Sequence, residues 1–99
     1  MMSIKYPINS DTEDLTIEET DVDEQLPYKL IIYNDDHNTF DWVIKSLVSV
    51  LRISSANAEQ LAMLIHYKGK VIAKSGEFDV LKVYKDALIE RKLSVTIEQ

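Results

Sequence analysis

The uneven distribution of acidic residues limits where this 99-residue chain can build a hydrophobic core. Residues 1–26 contain eight acidic side chains and a single basic one, Lys5, and they lack both glycine and any sustained apolar period. A segment of this composition buries too little apolar surface to offset the conformational entropy that ordering removes. We therefore expect residues 1–26 to form a disordered acidic N-terminal extension and residues 27–99 to form one folded domain.

The charge and composition of the chain also exclude several classes of protein. Residues 27–99 are nearly neutral, with nine acidic and ten basic side chains. Because no basic stripe is present to attract phosphates, we expect no nucleic-acid partner. No apolar run approaches the roughly 20 residues that cross a bilayer, so we expect no membrane association. The absence of cysteine excludes disulfides and thiolate metal sites, and it favours a cytoplasmic location.

The first half of the predicted domain contains one strand and two helices. Tyr28–Tyr33 is rich in β-branched and aromatic residues and predicts a strand. A helix is predicted over residues 40–52, with Thr39 as its N-cap. A second helix begins at Ser54 or Ser55 and ends at Gly69, and its buried face is predicted to contain Ala58, Leu61, Ala62 and Ile65.

The second half adds a strand, a helix and a final strand. We predict a strand over residues 70–74 and a turn at Ser75–Gly76, followed by a helix whose core-facing stripe is Val80, Val83, Tyr84, Ala87 and Leu88. Leu93, Val95 and Ile97 then alternate with polar residues, as in a half-buried strand. The order β-α-α-β-α-β predicts an α+β fold in which three helices pack on a small three-stranded sheet. Since no apolar stripe is left over, we expect a monomer.

Polar residues that could act on a ligand are concentrated in the loop 34–39 and at His66. The loop residues could simply stabilise a turn, because Asn and Asp bond their own backbone, and His66 could pack at the edge of the core. A metal site is disfavoured because His37 and His66 lack the spacing that places two ligands on one helix. A hydrolase is disfavoured because neither Thr39 nor Ser75 lies in a recognisable nucleophile motif. We therefore predict no catalytic residue, metal or cofactor.

Three segments of the chain, taken together, form a specific pattern: Tyr28–Asp36, Thr39–Ile44 and Ile65–Lys70. They resemble ClpS, the family of adaptors that bring N-end rule substrates to the ATP-dependent Clp protease, and the resemblance extends over residues 27–98. It implies that Asn34, Asp36 and His66, with Asp35 beside them, hold the α-amino group of a substrate. It also implies that Asn38 and Thr39 support the loop and that the first side chain enters a pocket lined by Phe40, Val43, Ala62, Ile65 and Leu93.

The resemblance further implies a specific set of partners. Preferred ligands would be N-degron peptides that begin with Leu, Phe, Tyr or Trp, and delivery would go to a ClpA-type ATPase. Phe40 stands where the family often has methionine, and Ala62 is small where many members also carry methionine. An amino terminus is largely cationic near neutral pH and offers three donors, which matches the acceptors on Asn34, Asp36 and a neutral His66. The alternative is a generic protein-interaction module without specificity for an amino terminus.

Overall fold

A computed structural model describes residues 26–99, so most of the predicted acidic extension lies outside the described residues. The described part contains three strands and three helices, in the predicted order β-α-α-β-α-β. Their bounds are β1 Tyr28–Tyr33, α1 Phe40–Leu51, α2 Ser55–Lys68, β2 Lys70–Gly76, α3 Phe78–Glu90 and β3 Ser94–Glu98.

The sheet has β1 at its centre. Its order is β2-β1-β3, and β1 is antiparallel to both neighbours. The register with β2 shifts between Leu30 and Ile31, where Ala73 is the extra residue on the β2 side. The predicted three-stranded α+β fold is therefore confirmed.

The core lies between this sheet and the helices. Alternate residues of β1, Leu30 and Ile32, pack in a buried cluster with Val95 of β3. Helices α2 and α3 provide most of the remaining buried residues, including Leu61, Ile65, Leu81 and Leu88. Helix α2 packs against β2, α3 packs against all three strands, and α1 packs against α2 and α3. The predicted inner face of α2 is confirmed, since Ala58, Leu61, Ala62 and Ile65 are all buried.

Two local predictions are wrong. Ser75 and Gly76 do not form a turn but extend β2 and pair with Lys29 and Tyr28, and Gly76 lacks the positive φ that glycine supplies in many turns. The predicted stripe of α3 is wrong in its first half and right in its second half, where Leu88 is buried and Tyr84 packs against the core. Val80 and Val83 are 50% and 68% exposed, and the buried residue of the first half is instead Leu81. The expectation of a monomer therefore loses one of its arguments, because α3 does present apolar side chains to solvent.

Candidate functional site

The loop between β1 and α1 is held in shape by Asp35. Its Oδ1 atom accepts hydrogen bonds from the backbone N–H groups of His37 and Asn38, at 3.0 and 3.2 Å. Its Oδ2 atom accepts from Ser94 Oγ at 2.8 Å, and the Asn38 side-chain amide donates to both oxygens. Burial raises the pKa of Asp35, but the hydrogen bonds from Ser94, Asn38 and His37 outweigh it, so the pKa lies below its ordinary value of 3.8.

The two ends of the loop are fixed by different elements. At the start, the backbone N–H of Asn34 donates to the carbonyl oxygen of Gly69 at 2.8 Å. At the end, Thr39 Oγ1 caps α1 by accepting from the backbone N–H of Trp42, as predicted. Asn38 also donates through Nδ2 to the carbonyl oxygen of Lys92 at 2.9 Å. The loop is therefore bonded to the α2–β2 junction, to α1 and to the segment before β3.

The bond to Gly69 brings the loop beside the C-terminal end of α2. Gly69 ends this helix with a φ of 91°, and its own N–H donates to the carbonyl oxygen of Ile65. His66 lies three residues before Gly69, on the last turn of the helix. As a result, residues far apart in sequence surround one open cavity of about 630 Å³, which we call the loop–helix cavity. It is lined by Asn34, Asp35, Asp36, Asn38, Phe40, Val43, Glu59, Ala62, Met63, Ile65, His66 and Tyr67.

Polar side chains lining this cavity fall into two groups by their bonding. Asp35 and Asn38 use their polar atoms within the loop and toward Lys92 and Ser94. Within residues 26–99, the side chains of Asn34, Asp36 and His66 make no hydrogen bond, and the His66 ring forms a T-shaped contact with the Tyr67 ring, with ring centroids 5.0 Å apart. The second group therefore keeps its acceptors for a ligand.

The electrostatic character of the cavity favours a cation. Asp35, Asp36 and Glu59 contribute carboxylates to its lining, and no lysine or arginine of the described part of the chain contributes. A free amine or another cationic donor is the ligand group that such a wall attracts. A bound anion would meet three like charges.

Four of the five predicted pocket residues line the loop–helix cavity. Ala62 and Ile65 are buried in its floor, Val43 is half-buried, and Phe40 is 41% exposed at its edge. Leu93 differs from the prediction, because it is buried and does not line this cavity. It lines a small space of about 20 Å³ that shares Asn34, Val43 and Ile65 with the cavity.

Asp35 also differs from its predicted role at an amine. Both of its oxygens already accept hydrogen bonds from the loop and from Ser94. Its geometry favours the role predicted for Asn38 and Thr39, which is to support the loop. This contact with Ser94 joins residues that are distant in sequence, so no local pattern reveals it.

The sequence argument missed three residues that line the cavity, namely Glu59, Met63 and Tyr67. Their signal is helical spacing, since Glu59 lies three residues before Ala62, and Met63 lies three residues before His66. Charged and exposed positions on a helix look the same in sequence whether they border a cavity or bulk solvent.

Residues 26–99 offer neither a metal cluster nor a membrane-spanning helix. No group of three or more His, Asp and Glu side chains in residues 26–99 is placed to hold a metal ion. None of the described helices combines the length and the hydropathy of a membrane span.

The family assignment follows from comparison with known proteins. The family described as ATP-dependent Clp protease adaptor protein ClpS matches residues 23–96, which include the loop, the three helices, β1, β2 and the start of β3. The chain belongs to the ClpS family. It is thus an adaptor of the Clp protease by family, and the predicted resemblance is confirmed.

Individual ClpS proteins agree with this assignment. The ClpS adapter protein of Acetivibrio thermocellus is 36% identical over 75 residues, which is 74% of this chain and 75% of that protein. The ClpS adapter protein of Campylobacter jejuni is 37% identical over 57 residues, covering 58% and 59% of the two chains. Agrobacterium tumefaciens ClpS2, solved bound to L-phenylalaninamide, superimposes with a TM-score of 0.67 at 27% identity, covering 72% of this chain and 93% of that one.

Proposed function

We propose that this ClpS-family adaptor captures the free α-amino group and bulky hydrophobic first residue of a polypeptide and delivers it to a ClpA-type unfoldase of the Clp protease. The protein would act without catalysis or cofactor, in the cytoplasm. The observation that carries the proposal is the unused hydrogen-bonding capacity of Asn34, Asp36 and His66 in one acidic cavity. The ligand of the related ClpS2, L-phenylalaninamide, carries a free amine on a bulky apolar residue.

The chemistry of an amino terminus fits these three side chains. An α-ammonium group has three donors and one positive charge, and it needs acceptors together with at least one carboxylate. Asp36 supplies the charge, while Asn34 Oδ1 and a neutral nitrogen of His66 supply further acceptors. The side chains of Asn34 and Asp36 extend from a loop whose shape is set by Asp35, so they need little reorganisation when a ligand binds.

The apolar part of the cavity fits the first side chain. Val43, Ala62 and Ile65 provide an apolar floor next to the polar group, and Phe40 forms an apolar edge. Burying a Leu or Phe side chain contributes about 1.5–3 kcal/mol, and a charge-assisted hydrogen bond contributes about the same. After the loss of translational and rotational freedom, an affinity on the order of micromolar is expected.

A free amino terminus carries a positive charge that an internal segment lacks, and the site is expected to distinguish the two by this charge. Acetylation removes the positive charge and two donors, and it leaves Asp36 desolvated without a partner. A formylated methionine at the start of a new chain is excluded for the same reason. Ligands that begin with Leu, Phe, Tyr or Trp and carry a free amine are therefore the expected class.

The decisive experiment titrates the purified chain with fluorescent peptides that begin with Leu, Phe, Tyr or Trp. Each peptide has an N-acetylated twin and a Met-initiated version as controls. The proposal requires micromolar or tighter binding of the free peptides and at least tenfold weaker binding after acetylation. Equal binding of a peptide and its acetylated twin would favour a generic interaction module instead. Delivery is tested separately, by the degradation of a Leu-initiated reporter by purified Clp protease with ClpA-type or other unfoldases.

A further inference from the structure

A second opening, which we call the basic groove, lies against the second half of the loop. Its volume is about 850 Å³, and it is lined by His37, Asn38, Thr39, Trp42, Ile89, Arg91, Lys92 and Leu93. Asn38 borders both this groove and the loop–helix cavity. Among residues 26–99, no acidic side chain lines the groove, although Asp41 and Glu90 adjoin it in sequence. The two openings thus differ in charge, one being acidic and the other basic.

The two strong cations of the basic groove have no anionic partner among residues 26–99. Arg91 lies over the ring of Trp42, with its Cζ 4.6 Å from the centroid, and its Nε donates to Ser46 Oγ at 3.0 Å. The Trp42 indole N–H donates to the Arg91 carbonyl oxygen at 2.9 Å, which fixes the aromatic wall. Neither Arg91 nor Lys92 forms an ion pair in the described part of the chain, whereas Lys82 pairs with Asp86. The groove therefore presents an ordered aromatic wall and two cations that are available to bind an acidic segment.

An acidic segment belongs to the same polypeptide. Eight acids lie within residues 11–24, against the single Lys5 in the first 26 residues. A segment tethered to its binding surface has an effective concentration in the millimolar range, so a weak electrostatic contact is sufficient to populate the bound state. A separate acidic peptide would need a millimolar concentration in solution to bind to the same extent.

Chain length determines which of these acids can reach the groove. The extension joins the domain at the start of β1, and the opposite end of β1, at Tyr33, pairs with Ser94 beside the groove. The six residues of β1 span roughly 20 Å. An extended chain covers at most about 3.6 Å per residue, so an acid needs at least about six residues between itself and Tyr28. Asp23 and Glu24 are too close to Tyr28, Asp21 is at the limit, and the acids from Asp11 to Glu19 are far enough from Tyr28 to reach the groove.

We propose that the basic groove is a docking site for residues 11–19 of the same chain, with the carboxylates of this segment held by Arg91 and Lys92. This inference goes beyond the proposed function and does not depend on it. Docking places the acidic segment away from the acidic loop–helix cavity, so the segment does not compete for the amine-binding groups. Salt weakens the contact, because the groove is open to solvent.

The absence of cysteine allows a direct test on the full chain. A Thr16→Cys variant carries a nitroxide spin label at a single position, and Trp42 is the one tryptophan of the sequence, so its indole N–H signal is unambiguous. The proposal requires the label to broaden the Trp42 indole and Lys92 amide signals at low salt. The signals must recover near 0.5 M salt, where the Debye length falls below about 5 Å.

Matched variants separate docking from general charge effects. Glu18→Gln with Glu19→Gln, or Lys92→Gln alone, must reduce the broadening at least twofold. Asp23→Asn with Glu24→Gln removes the same charge as the first pair but should leave the broadening unchanged. Unbroadened Trp42 and Lys92 signals, or equal effects of the two acidic pairs, would overturn the proposal. Broadening of an isotope-labelled chain by a separate spin-labelled chain would also overturn it, since the contact would then lie between molecules.

Discussion

The backbone N–H of Asn34 lies 2.8 Å from the carbonyl oxygen of Gly69, and this hydrogen bond joins the end of β1 to the end of α2. It sets the position of the loop relative to His66, which lies one turn before Gly69 on the helix. The carbonyl can point at Asn34 because Gly69 adopts a left-handed conformation, with a φ of 91°. The candidate amine site therefore depends on the backbone conformation of a glycine that contributes no side chain.

Replacing Gly69 by Ala should lower the free energy of unfolding by about 1–2 kcal/mol, because an L-residue is strained in the left-handed region. No atom lies within 4 Å of the added Cβ, so the loss is conformational rather than steric. Gly76→Ala is the control. Its φ is not positive, and its added Cβ would lie at an ordinary distance of 3.6 Å from Leu81 Cδ2. Urea denaturation that shows equal losses for both variants would contradict this account.

Asp36 lines the loop–helix cavity, and its neighbour His37 lines the basic groove. Substitutions at these two positions therefore form a matched pair. Asp36→Ala should weaken the binding of a Leu-initiated peptide at least tenfold, because it removes the charge that the amine requires, worth about 1.5–3 kcal/mol. His37→Ala should change the affinity less than twofold. Fluorescence anisotropy titrations of both variants provide the measurement, and comparable losses would show that the loop residues are assigned wrongly.

Ala62 is a small residue in the floor of the loop–helix cavity, where the first side chain is proposed to bind. Ala62→Met should fill part of the loop–helix cavity and weaken the binding of a Trp-initiated peptide more than that of a Leu-initiated one, by roughly 1–3 kcal/mol where the larger ring is overpacked. Ala56→Met, at an exposed position of α2 that does not line the cavity, is the control and should leave both affinities unchanged. An unaltered Trp-to-Leu ratio in the Ala62 variant would mean that the first side chain binds elsewhere.

Asp35 should make the stability of the domain depend on pH in the acidic range. Its folded-state pKa is lowered, so its stabilising contribution is fully present above the unfolded value of 3.8 and is lost as the pH falls through the folded value. Asp35→Asn should lose about 1–3 kcal/mol at pH 7, because charged hydrogen bonds to His37, Asn38 and Ser94 are weakened. The difference from the wild type should shrink as the pH falls below about 4. Denaturation midpoints at several pH values test this, and a constant difference would count against it.

The sequence predicted much of the fold because the signals used are local. Thr39 caps α1 and Gly69 ends α2 as predicted, and the inner face of α2 has the predicted phase, since caps and helical spacing act over a few residues. The phase of α3 could not be predicted in this way. Leu88 is buried as predicted, but Val80 and Val83 are as apolar as Leu81, and which of these residues is buried in the first half of the helix depends on which one meets the sheet.

The candidate site was predictable to the extent that the family motif names its residues. Asn34, Asp36, His66, Val43, Ala62 and Ile65 line one cavity, as the resemblance implied. The motif does not distinguish Asp35, which is bonded inside the loop, from Asp36, which has its acceptors free. That distinction depends on Ser94, which is 59 residues away in sequence, and on the pairing of β3 with β1.

Strand β1 lies between β2 and β3, which both come later in the sequence. This arrangement has a consequence for the order of folding. Loop 34–39 is bonded to Ser94 and to the Lys92 carbonyl, across separations of 59 and 54 residues. Contacts of such high sequence separation form slowly compared with the helical hairpin of α1 and α2. Without the pairing of β3 with β1, the loop lacks its bonds to Ser94 and Lys92, even where α2 is formed and carries His66. We therefore expect the candidate amine site to be complete only in the fully folded domain, because its loop is ordered by contacts of high sequence separation.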